Sequence, residues 1–146
     1  MYNGLLHLHS GLRYIILALF LVTLIMSLNN WLKERKYTHK HHSIVKLHAI
    51  VFTIQFVAGV ALYAISSKVL FDAGMMKSTL LRFFTLEHPL MMLIATILIV
   101  HSAAKAKIYS NYTTHKRLFW YNLLGLLLVV ASIPWPFREQ LGAGWF

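Results

Sequence analysis

Histidines and a few other polar side chains sit inside stretches of this chain that are long and apolar enough to cross a bilayer. Spanning the hydrocarbon takes ~20 apolar residues. Four segments qualify, at about 5–28, 44–66, 84–104 and 118–135. His7, His9, His48, His88 and His101 lie at or just inside their ends, and Arg13, Glu87 and Gln55 accompany them. Hydrocarbon rejects such groups unless they face a bundle interior, pair with one another or hold something functional. The expected fold is therefore all-α: a single domain over residues 1–146, built as a four-transmembrane-helix bundle.

The composition agrees and removes several chemistries. Only 12% of the residues are charged, against about 25% in soluble domains. Cysteine is absent, which excludes disulfides, thiolate metal sites, iron–sulfur clusters and covalently attached c-type haem. The net charge of +10 is gathered in short segments between the apolar spans, a pattern that suits anionic headgroups rather than nucleic acid. Nine basic residues (Lys33, Arg35, Lys36, Lys40, Lys46, Lys105, Lys107, Lys116, Arg117) flank one side, and four (Lys68, Lys77, Arg82, Arg138) the other. The positive-inside rule then places both termini outside the cytoplasm. The first stretch lacks a basic leader and a small-residue cleavage site, so it is expected to persist as a helix. Trp31, Trp120, Trp135 and Trp145 fall near the expected interfaces.

Residues 67–83 are too apolar for a free loop and predict a partly helical, amphipathic segment on the outer surface. Pro134 and Pro136 predict the end of the last helix, and Gly142 and Gly144 a turn-rich cap.

The polar residues sort by depth into two layers. His7, His9 and Arg13 on the first helix share the outer layer with Glu87 and His88 on the third. His48 and His101 form an inner layer. At 100° per residue, His9 and Arg13 share a face, and so do His48, Gln55 and Gly59. Gly59 admits the close approach of a helix or a flat cofactor. On the third helix Glu87 and His101 lie on one stripe, while His88 lies on the next with Met92, Ala95, Ile99 and Ser102.

Two neutral imidazoles from facing helices at equal depth suit b-type haem, which is held by axial ligands and an apolar slot. His9 or His7 with His88 gives an outer pair, and His48 with His101 an inner one. Arg13 suits a propionate. The structural alternative is that these histidines satisfy themselves on headgroups, water or backbone carbonyls. That reading applies above all to His7, His39, His41, His42 and His115, although His39, His41 and His42 also form a candidate surface metal site. Arg13 and Glu87 are expected to form an ion pair tying the first helix to the third. Met75, Met76, Met91 and Met92 read as packing.

Three stretches, LLHLHSGLRY, RFFTLEHPLMMLIA and IPWPFREQLGAGWF, together resemble a family of small bacterial four-helix inner-membrane proteins labelled "cytochrome B". The resemblance spans nearly the whole chain, and LHSGLR and EH are its most specific parts. It implies haem and electron transfer, and brings forward His7, His9, Arg13, Glu87 and His88.

Three functions follow as expectations: a haem-b membrane electron carrier fed by quinol or a partner subunit, a non-catalytic subunit that scaffolds or regulates a larger membrane complex, or a small transporter or proton relay.

Overall fold

The computed structural model describes residues 2–72 and 74–141. The expected cap at Gly142 and Gly144, and Trp145, lie outside them. The described residues are helical and contain no strand. Four long helices carry the fold: α1, Tyr2–Leu32; α2, His39–Ile65; α3, Thr79–Ala104; and α4, Thr113–Ser132. Among them α1, α2 and α3 are long and apolar enough to cross a membrane, with exposed Leu, Ile and Val along their outer faces.

The helices begin and end where local chemistry stops them, which moves several expected bounds. Helix α1 runs past residue 28 and closes with a Schellman-type turn, in which Arg35 N–H reaches the Asn30 carbonyl at 2.9 Å and Glu34 takes a positive φ. Helix α2 starts at His39 because Thr38 precedes it with extended backbone, and the Thr38 N–H donates to His41 Nδ1 at 3.2 Å. Helix α4 starts five residues earlier than expected and stops at Ser132, two residues before Pro134. The expected amphipathic segment holds a short 3₁₀ turn, Met75–Lys77. Ser78, with extended backbone, separates that turn from α3 and accepts from the Leu81 N–H as its N-cap.

After a first α turn at Thr79–Arg82, α3 widens into a π turn at Phe83–Glu87. Tyr63 on α2 donates to the Thr85 carbonyl in this turn at 2.9 Å. Residues five apart lie closer to one face in a π turn than in an α-helix. Arg82 and Glu87 accordingly meet at 2.7 Å. The pairing expected between Arg13 and Glu87 is thus replaced by a local one that the wider turn makes possible.

Short links make sequence neighbours antiparallel. Helix α1 packs on α2 and α4, and α3 packs on α2 and α4. The helices therefore form a square whose diagonals are α1/α3 and α2/α4. The core inside it is Ile16, Phe20, Phe52, Ala95, Ile99, Val129 and Ile133. Gly125 on α4 lets Ile99 and Phe20 approach its backbone, since a Cβ there would lie 2.9 Å from Ile99 Cδ1.

Candidate functional site

The outer layer assembles across the α1/α3 diagonal. His9 and His88 face each other with ring centroids 6.4 Å apart and planes at 76°. Each is placed by backbone chemistry on a neighbouring helix. The Ser132 carbonyl lies at the C-terminus of α4, where no helical N–H is available to it. His88 Nδ1 takes that acceptor at 2.8 Å. His9 Nδ1 is buried near the Gln55 backbone without a hydrogen bond of normal geometry. The Gln55 side chain in turn donates to the His9 carbonyl at 2.8 Å.

Gly59 completes the seat. A Cβ at that position would lie 3.1 Å from His9 Cε1, so the ring rests where any other residue would place a side chain. The two rings line a cavity of about 670 Å³ bounded mainly by apolar side chains. Its floor reaches the core residues Ile16, Phe52 and Val129. Arg13 and Lys68 line it, and no carboxylate does among the described residues. The space is within the range that encloses a cofactor.

The residues fit a bis-imidazole metal centre in three respects. Two imidazoles that shared one metal ion, with bonds of ~2.0–2.1 Å and ~1.1 Å from nitrogen to ring centre, would have their ring centres at most about 6.3 Å apart. The observed separation is 6.4 Å. Metal-bound histidines characteristically turn their second nitrogen to a carbonyl or carboxylate, as His88 does with Ser132. The cavity also offers a mostly apolar slot, with Arg13 and Lys68 bringing positive charge to its wall. Among the described residues no group of three or more His, Cys, Asp or Glu converges on a metal position, so a chelating site at His39, His41 and His42 is not formed.

The other expected residues go elsewhere. His7 is exposed and does not line the cavity. His101 is exposed and stacks on Tyr121 with centroids 5.8 Å apart, because its stripe faces away from the core. His48 is 1% exposed and sits against Phe20 and Phe52, with Nδ1 3.3 Å from Thr23 Oγ1. The inner histidine pair is therefore not formed: one ring faces inward and the other outward.

Sequence reasoning missed a buried cluster at the inner end. Tyr37 and His115 are fully buried, with ring centroids 5.3 Å apart, and His41 lies 4.8 Å from His115. The links fold back over the bundle there: Tyr37 N–H donates to Ser110 O at 2.9 Å, and Tyr109 N–H to Tyr37 O at 2.8 Å. Spacing carried a signal. His41 precedes His48 by seven residues, and His115 precedes Asn122 by seven, two turns on one face.

Compared with family models, curated proteins and solved structures, the chain matches none.

Proposed function

We propose that this protein is a four-span membrane protein, with both termini outside the cytoplasm, that holds b-type haem between His9 and His88 and passes single electrons. The carrying observation is the opposed His9 and His88 rings, 6.4 Å apart in the outer cavity. The resemblance of LHSGLR and EH to the "cytochrome B" proteins points the same way. When bound, haem supplies a one-electron iron couple.

The chain's own contribution is orientation, exclusion of water and charge. The Ser132 carbonyl fixes His88 with its proton on Nδ1, which leaves the Nε2 lone pair for a metal. Gly59 and the Gln55 backbone hold the His9 ring at the same depth. Arg13 and Lys68 bring positive charge to the cavity wall. Ile16, Phe52 and Val129 close the floor, so the centre stays dry on the inner side. Quinol or a neighbouring subunit in the bilayer would deliver the electron.

Absorption spectra of detergent-purified protein, oxidised and then dithionite-reduced, test the reading. A reduced b-type band is expected in the wild type and in His101→Ala, and its loss in His88→Ala and His9→Ala. A folded protein without the band after haem supplementation refutes it and leaves the scaffolding subunit as the better account. Cysteine labelling at position 40 tests the orientation: reaction from outside intact cells reverses it.

A further inference from the structure

The outer cavity leaves the inner half of the bundle unexplained. That half carries a column of buried polar side chains drawn from every long helix: Thr23 and Ser27 on α1, His48 on α2, Ser102 on α3 and Asn122 on α4, none more than 1% exposed. No Asp, Glu, Lys or Arg is buried with them among the described residues. Three of their atoms, Ser27 Oγ, His48 Nε2 and Asn122 Oδ1, have no hydrogen-bond partner among the described residues. Buried polar atoms in a packed interior are normally satisfied by protein or by ordered water. Several unpartnered atoms at one level of a bundle are a place where water binds.

We infer that His48 is a proton-accepting site inside the bundle, fed by internal water from the inner end. The hydrogen-bond roles around it are those an imidazolium needs. Asn122 Nδ2–H donates to the Leu118 carbonyl at 2.8 Å, which fixes Oδ1 as the atom left to accept. Asn122 lies beside His48 without closing a hydrogen bond of normal geometry on Nε2. On the other ring edge, Thr23 Oγ1 stands 3.3 Å from Nδ1, and a hydroxyl can donate or accept. The neutral ring is served by Thr23 as donor. The protonated ring, a donor at both nitrogens, is served by Thr23 and Asn122 as acceptors. The step balances simply: hydronium gives its proton to the ring and leaves as water.

A second set of unpartnered atoms lies two helical turns inward. Tyr37 OH and both ring nitrogens of His115 make no hydrogen bond of normal geometry, and the Lys36 backbone stands near His115. Besides Tyr37, the titratable groups there are His41, which touches His115, and His42, whose ring lies 6.2 Å from that of Tyr37. Val45 and Leu118 are buried between the two levels, so the passage follows α1, where Ser27 and Asn30 lie. Outward of His48, Phe20 and Phe52 pack on its ring and separate it from the cavity. The site therefore faces one side of the molecule only, and it does not depend on haem.

Histidine-selective ¹⁵N NMR of the full chain in lipid nanodiscs tests this, with the His48 resonances identified by their loss in His48→Gln. The expected result is exchange between the His48 ring proton and water on the millisecond scale. Asn122→Leu and His115→Phe should each slow it by about tenfold, the factor equivalent to ~1.4 kcal/mol, or one hydrogen bond. A His48 ring proton that survives for hours in D₂O in the folded wild type overturns the inference, whether or not the variants fold. An unchanged rate in folded His115→Phe overturns the inner route. Signals of His9 and His88 in the same spectra report the outer cavity separately.

Discussion

Gly125→Ala offers the sharpest test of the packing that separates the two polar layers. The new methyl would lie 2.9 Å from Ile99 Cδ1 and 3.4 Å from Phe20 Cε1. The first distance is well inside van der Waals contact, and Ile99 and Phe20 are buried, so neither has open space to retreat into. Overpacking a closed core costs about 1–3 kcal/mol, while alanine in place of a helical glycine returns roughly 0.5–1 kcal/mol. The net expectation is a loss of about 1 kcal/mol. Ile99→Val removes the clashing Cδ1 and alone costs about 1 kcal/mol. If the two effects were independent, the double variant would lose ~2 kcal/mol, within ~0.3–0.5 kcal/mol. The steric account instead expects the alanine methyl to take the space Cδ1 vacates. The pair should then lose less than about 0.5 kcal/mol, a favourable coupling of roughly 1.5 kcal/mol. Reversible unfolding in mixed detergent micelles, followed by circular dichroism, measures all four corners of the cycle. Additive losses would refute the close approach of α3 and α4 at this point.

Gly59→Ala should weaken the retention of haem and Gly59→Leu should abolish it while the fold persists, because the added carbon starts 3.1 Å from the His9 ring; haem content per folded protein checks this. Burial pushes the Tyr37 phenol up to about 12. The unfolded chain releases that proton near pH 10, so stability is complete below about pH 10. It should then fall by up to ~1.4 kcal/mol per unit until about pH 12; Tyr37→Phe should remove that part of the slope in a pH series of melts. Glu87→Gln should cost no more than ~1 kcal/mol in the same melts, since both partners of the Arg82–Glu87 pair are 36% exposed; a larger loss would show that Glu87 does more than pair with Arg82.

The helices were legible because hydrophobic length needs no partner to be read, and His9 and His88 could be matched by depth alone. The π turn at Phe83–Glu87 was not legible, because FFTLE carries no proline or glycine to mark it. It redirected Glu87 from Arg13 to Arg82. Stripe geometry separated His88 from His101 correctly in direction, and the exposure of His101 follows from its sharing a stripe with Glu87 and Ile94. Nothing in the sequence singles out Tyr37, and His115 falls in a basic segment that suits headgroups, water or backbone carbonyls. Their burial comes from backbone pairing between two links, at Tyr37 and at Ser110 and Tyr109, which no local pattern encodes. His48 was read as a possible ligand, and its partners Thr23 and Asn122 passed unnoticed as ordinary helix residues.

The seat for His9 and His88 draws one element from each long helix: His9, Gln55 with Gly59, His88, and the carbonyl of Ser132. These stand well apart along the chain, so a growing polypeptide presents them one at a time. His9 is made first and has nothing to oppose it until the third helix has been inserted. His88 then lacks its acceptor until the fourth has closed the square. The cavity is therefore complete only once all four helices have come together.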